Sequence, residues 1–309
     1  MPIAFASRRR ILVGFLLVYM LWGTTYLAIH YALETLPPFF LAAARFLLAG
    51  SVLYGWTRLR GFPRPKRAHW RSAAVVGILM VVGGNGGVVF AQQYVSSGLA
   101  ALMVSTIPLW MVVLDWRGRA SRRPSSGLWF GLALGVAGIA LLVDPSGAAQ
   151  SSEVYHTGSV SLVWAIVLLG ASFAWAVGSL YSRKASLPES AILSTSMQML
   201  TGGAVLLILA AWHGDFARLN LQQVSLRSWL ALGYLVVFGA IIGFSTYLWL
   251  LRVASVASVS TYAFVNPLVA VTLGCLIARE PLTPRMLIAS LLILSGVALI
   301  ILFRRVKPR

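Results

Sequence analysis

Val81–Tyr94 reads "VVGGNGGVVFAQQY", four glycines around one asparagine and then a pair of glutamines. A loop that cradles phosphate is glycine-rich in a similar way, but it needs a Lys-Ser or Lys-Thr directly after its last glycine. Here Gly87 is followed by Val-Val-Phe, and the run is preceded by the apolar "RSAAVVGILMVVGG". The stretch therefore reads as part of a helix in lipid. Gly83 and Gly87 stand four apart, as do Gly239 and Gly243. That spacing puts two small residues on one helix face and lets a neighbouring backbone come close. Asn85 is a different matter, because an amide in hydrocarbon is costly unless bonded. It faces the bundle interior, either to bond a neighbouring helix or to line a cavity.

The composition requires lipid as solvent. The 309 residues are 59% hydrophobic and 10% charged, with a mean hydropathy of +0.85, more apolar surface than a water-soluble fold of this length can hide. A span takes about 20 mostly apolar residues. Ten stretches qualify, at roughly 11–31, 38–57, 72–91, 97–115, 126–143, 158–180, 190–212, 228–250, 255–277 and 285–303. The Ser7-Arg-Arg-Arg start lacks an A-x-A cleavage pattern and reads as the flank of a retained first span. Cys275 is the only cysteine, so disulfides, Cys-based metal sites and thiol catalysis have no basis.

The net charge of +18 is distributed for a membrane rather than for nucleic acid. Alternate loops starting from the N-terminus carry Arg8–Arg10, the cluster Arg58 to Arg71, Arg117 to Arg123, Arg183 with Lys184, Arg252, and Arg304 to Arg309. The opposite loops hold only Arg218, Arg227, Arg279 and Arg285, and Arg45 lies within a span. Basic loops stay cytoplasmic, so both termini are expected inside and the span count is even.

The chain also repeats itself. "STIPLWMVV" (105–113) resembles "AFVNPLVAV", aligning Pro108 with Pro267, and "VAGIALLV" (136–143) resembles "LSGVALII", aligning Gly138 with Gly296. Two units follow, residues 1–145 and 146–309, each of five spans. Because five is odd, the second copy enters the membrane from the other side. The link "DPSGAAQSSEVYHT" (144–157) is free of Lys and Arg, as an outer loop should be. Inverted repeats of this kind place a substrate site near the bilayer midplane, between the copies, and open it alternately to each side.

Projecting side chains at about 100° per residue gives one stripe of Tyr19, Trp22, Tyr26 and His30 in the first span. Met103, Thr106 and Trp110 share a face in the fourth; Trp164, Leu168, Ser172 and Trp175 in the sixth; Ser255, Ser258, Tyr262 and Asn266 in the ninth. The candidate substrate-lining set is Trp22, Tyr26, Asn85, Met103, Trp110, Trp164, Trp175, Tyr262 and Asn266. Arg45, Gly83, Gly87, Pro108, Gly239, Gly243 and Pro267 are assigned structural or gating roles. For Arg45 those are pairing or snorkelling, with binding of a substrate carboxylate as the alternative. Pro267 removes a backbone donor within its span and offers a hinge there.

Glu34, Asp115, Asp144, Glu153, Glu189, Asp215 and Glu280 all fall in loops or at span ends. No carboxylate is left mid-membrane to carry a proton, which argues against an acid-centred antiporter; coupling through His30 or through the substrate stays open. The four histidines are scattered, with no H-E-x-x-H or G-x-S-x-G pattern, so neither an enzyme, a cofactor nor a metal is expected.

"WGTTYLAI", "LPPFFLAAARFLLAG", "GNGGVVFAQQYVSSGLAALMVSTIPLW", "SFAWAVGSLYSRKASLP" and "TYAFVNPLVAVTLGCLIARE" together resemble the EamA branch of the drug/metabolite transporter superfamily. Within it, the likeness is to the YedA-type exporters of bacterial inner membranes. The resemblance implies an all-α integral membrane protein of ten transmembrane helices, built as two inverted five-helix EamA repeats, that moves small metabolites outward. Its hallmark positions fall on Trp22, Gly23, Arg45, Asn85, Pro108, Asn266, Pro267 and Glu280. The resemblance also marks a departure, since such relatives tend to carry an acid where this chain has Gln92. The expected function is export of small neutral or zwitterionic metabolites such as amino acids across the inner membrane. A multidrug exporter and a passive pore are the alternatives.

Overall fold

The computed structural model describes residues 8–117, 126–144 and 159–303. Arg119, Arg122, Arg123, Glu153, the C-terminal basic cluster and most of the 144–157 link lie outside them. The first half comprises α1 (Arg8–Leu33), α2 (Pro38–Leu59), α3 (Arg67–Ala91), α4 (Ser97–Val104), α5 (Ile107–Arg117) and α6 (Ser126–Leu142). The second comprises α7 (Leu162–Ser182), α8 (Ala191–Trp212), α9 (Leu226–Val253), α10 (Tyr262–Leu276) and α11 (Pro284–Phe303), with single helical turns at Asp215–Arg218 and Val256–Val259. A parallel bridge, Val143 to Val160 and Asp144 to Ser161, joins the end of α6 to the start of α7.

Six of these helices are long and apolar enough to cross a membrane: α1, α2, α3, α7, α8 and α9. Shorter apolar helices occupy Ser97–Met111, Trp129–Leu142, Tyr262–Leu276 and Pro284–Leu299, where the remaining spans were expected. The fourth is short for a local reason, a turn at Ser105–Thr106 that splits α4 from α5. Pro108 follows as the second residue of α5, in the first turn, where a missing N–H costs nothing. Pro267 instead lies inside α10, and the corresponding break comes earlier, at Ser260–Thr261.

The halves exchange their first helices. The helix α1 packs against α9 and α10 of the second half, and α7 packs against α3, α4 and α5 of the first. The equivalent helices α2 and α8 pair along their length, as do α6 and α11. Hydrophobic burial gives little drive between helices in lipid, so close backbone approach carries the packing. At Gly202 of α8 a Cβ would lie 2.5 Å from Val81 Cβ and 2.8 Å from the Gly77 carbonyl oxygen. Gly83 and Gly87 do what their spacing predicts, since a Cβ at either would come 2.9 Å and 3.0 Å from Ala174 and Ala171 of α7.

At the bundle end where α1 stops, polar links cross from one half to the other. Glu280 accepts from Ser97 and Gly98 at the start of α4. Asp215 Oδ2 accepts from Phe39 N (2.8 Å) and Phe40 N (2.9 Å) at the start of α2. Both carboxylates meet the positive end of a helix. Arg285 provides the converse, donating to the Leu141 and Val143 carbonyls where α6 ends. Arg227 pairs with Glu34 at 3.1 Å and lies over the Tyr31 ring.

Candidate functional site

Two stretches depart from α-helical winding. Gly77–Gly86 of α3 and Leu235–Phe244 of α9 are π-helical, ten residues each, at equivalent places in the two halves. Such widened turns are uncommon and gather at functional sites. The first borders a central cavity through Gly84 and Asn85, and the second packs behind it against the wall residues Trp22 and Arg45. In the first, Asn85 Nδ2 donates to the Met80 carbonyl five residues back (3.3 Å). In the second, the Gly239 carbonyl accepts from Trp22 Nε1 (3.2 Å). A Cβ at Gly243 would come 2.5 Å from that indole nitrogen, so the bare backbone of α9 is what admits Trp22.

The cavity is walled by both halves: Trp22, Thr25, Tyr26, Ile29, Arg45, Gly84, Asn85, Val88, Val104 and Ile107 from the first, and Ala171, Trp175, Tyr262 and Asn266 from the second. Its space for the centres of water-sized groups is about 60 Å³. One buried water needs roughly 10–15 Å³ on that measure, so a few waters or a solute of several heavy atoms fits.

A ring cluster forms the floor. Trp22 meets Trp175 edge-on with centroids 5.3 Å apart, Tyr262 edge-on at 5.4 Å and Tyr247 at 4.9 Å. Edge-to-face pairs contribute about 0.5–1.5 kcal/mol each beyond burial. Tyr247 is fully buried; its hydroxyl accepts from Trp175 Nε1 (3.1 Å) and pairs with Ser179 Oγ (2.8 Å). Sequence reasoning missed Tyr247. Its signal lay in a tertiary contact with Trp175 and Ser179 of α7, which no periodicity within α9 reports.

Asn266, 4% exposed, has its amide oriented to donate to the Tyr19 carbonyl (3.0 Å) and the Tyr262 carbonyl (3.3 Å). It thereby ties α10 to α1 just before Pro267. Gln92, 2% exposed, donates through Nε2 to the Tyr26 carbonyl (3.0 Å), behind a residue of the cavity wall.

Of the nine expected lining residues, Trp22, Tyr26, Asn85, Trp175, Tyr262 and Asn266 come together in the cavity, and Met103, Trp110 and Trp164 do not. Met103 is fully buried in the packing between halves. Trp110 meets Phe173 edge-on at 5.3 Å, and Trp164 stacks on Tyr94 at 4.2 Å. Arg45, assigned to structure from the sequence, lines the cavity. Gly239 and Gly243 face Arg45 and Trp22. Among the described residues no group of three His, Cys, Asp or Glu is placed to hold a metal ion.

The EamA-like transporter family model matches residues 9–144 and 162–302. An uncharacterised inner membrane transporter of Escherichia coli (strain K12), YedA, is 36% identical over 292 residues, which is 94% of this chain and 90% of that one. YvbV, an uncharacterised transporter of Bacillus subtilis (strain 168), is 25% identical over 95% of this chain and 92% of its own. A solved crystal structure superposes with a TM-score of 0.67 at 22% identity, covering 97% of this chain and all of its own, and so shares the fold. Two matched repeats, apolar membrane helices and this degree of identity settle the affiliation: the chain belongs to the EamA-like transporter family.

Proposed function

We propose that the chain is a secondary carrier that exports small neutral or zwitterionic metabolites, amino acids foremost, across the bacterial inner membrane. In this reading residues 1–145 and 146–309 are inverted five-span repeats, ten spans in all, with both termini cytoplasmic. The observation that carries it is the cavity between the halves, whose rings and amides come from both. A movement of one half against the other would expose such a cavity to each side in turn. The links at one bundle end, Glu280 to Ser97 and Asp215 to α2, are those that must break for that end to open. The modest size of the cavity favours metabolites over bulky drugs.

Solute counterflow into sealed proteoliposomes, with and without a pH gradient, tests the carrier reading. Saturable counterflow that is lost in Asn85→Ala and Asn266→Ala, with folding intact, supports it; flux linear in concentration points to a pore. Thiol labelling of single-cysteine variants at position 8 and position 305, after replacement of Cys275, checks the topology. Labelling from opposite faces of the membrane refutes the inverted arrangement.

A further inference from the structure

The described cavity wall contains one formal charge, and nothing among the described residues pairs with it. Arg45 of α2 is 3% exposed, so its head does not reach an open surface. Its Nε and Nη1 have no hydrogen-bond partner among the described residues. None of the ion pairs formed by those residues includes it. The Phe46 ring, 4.9 Å from the guanidinium carbon, compensates only part of the lost hydration. On the facing helix a Cβ at Gly239 would come 2.7 Å from Nη2, so α9 gives up a side chain to leave the guanidinium its room. A buried cation with unbonded N–H groups destabilises a fold unless an anion completes it.

We propose that Arg45 anchors a carboxylate of the transported solute, which makes the substrate class monocarboxylates with an apolar or aromatic body; this rests on the carrier reading above. A planar guanidinium matches a carboxylate through two parallel N–H···O bonds. Arg45 is the only charged residue among the described residues of the wall, and one positive charge balances one negative charge, where a phosphate dianion would call for more. Trp22, Trp175 and Tyr262 supply ring surface for the body of the solute. Asn85 spends Nδ2 on the Met80 carbonyl and keeps its Oδ1 as an acceptor for an ammonium group, so an α-amino acid satisfies both ends of the site.

The test uses the full-length protein in micelles, with tryptophan emission and thermal unfolding read against a panel. The panel comprises acetate, L-alanine, L-leucine, L-phenylalanine and 3-phenylpropionate, each beside its amide. Carboxylates of the panel should bind at least about tenfold more tightly than the matching amides, charge-assisted bonds being roughly twice as strong as neutral ones. Arg45→Gln should erase that difference, and Arg45→Lys should keep part of it. Without solute, Arg45→Gln should unfold no earlier than the wild type, since it removes an unpaired buried charge; a purely structural arginine would give earlier unfolding. If no carboxylate outdoes its amide in the wild type, or if Arg45→Gln leaves the preference intact, the anchor is refuted. Saturable counterflow of the amides alone would overturn the anchor and leave the carrier. Unsaturable flux of every solute would overturn the carrier itself.

Discussion

Replacing Glu280 with glutamine tests how the two halves are held. The carboxylate, 7% exposed, accepts from Ser97 N at 2.8 Å through Oε1. Through Oε2 it accepts from Ser97 Oγ at 2.9 Å and from Gly98 N at 3.1 Å. An amide has one acceptor atom for these two positions. With the oxygen at Oε1, the new NH₂ faces the Gly98 N–H; with the oxygen at Oε2, it faces the Ser97 N–H. Either way one backbone donor at the start of α4 meets another donor, while the Ser97 hydroxyl can turn and accept. Hydrogen bonds to a charged group contribute about 1.5–3 kcal/mol each, and a buried donor left unmet costs about 1–3 kcal/mol. Glu280→Gln should therefore destabilise by about 2–4 kcal/mol. Ser97→Ala alone should cost about 1–2 kcal/mol, and the pair should couple by about 1 kcal/mol in a double-mutant cycle. Reversible unfolding in mixed micelles, titrated with a denaturing detergent and followed by tryptophan emission, measures all three. A glutamine variant within about 0.5 kcal/mol of the wild type, the ordinary range of surface changes, would show that this carboxylate does not clamp the halves.

Asp215→Asn weakens the equivalent contact at α2, where Oδ2 holds two backbone N–H groups and Oδ1 meets His213 Nδ1 at 2.6 Å; a loss of about 1–2 kcal/mol is expected by the same titration. Gly202→Val drives a side chain into Val81 and the Gly77 carbonyl, which should cost about 1–3 kcal/mol and lower the thermal midpoint more than Gly170→Val, where a Cβ meets nothing. Tyr247→Phe leaves the Trp175 indole without its acceptor and should cost about 1–2 kcal/mol; an unchanged midpoint would mean that water takes the place of the hydroxyl.

Of the ten apolar runs read as spans, six are helices long and apolar enough to cross a membrane and four hold shorter apolar helices, because the need for lipid is written in composition whereas a break in the winding is not. Gly83 and Gly87 both lie against α7, at Ala174 and Ala171, although the winding changes from π to α between them. Projection at a fixed angle failed where the backbone stops being a uniform helix. Met103 and Trp110 were placed on one face, yet the turn at Ser105–Thr106 lies between them, and Trp110 goes to Phe173 instead. The π-helical segments are illegible for the same reason, as an i+5 ladder leaves no mark in residue type. Trp164 shares a helix with Trp175, but at the start of α7 it finds Tyr94 rather than the cavity. Arg45 lies within a span, as read; that no described carboxylate pairs with it could emerge only from the packing of the helices.

The exchange of first helices sets a timetable for synthesis. Trp22 leaves the ribosome 217 residues before the Gly239 carbonyl that its indole nitrogen will hold. Until then α1 must wait in the bilayer beside lipid or the insertion machinery, its polar ring atom unmet. Contacts so distant along the chain form slowly, and a first half released on its own would lack α9 and α10, the two helices that embrace α1. Maturation is thus a late, concerted closing of the whole chain, and a truncation anywhere before α10 should leave a product for quality-control proteases rather than a half-sized carrier.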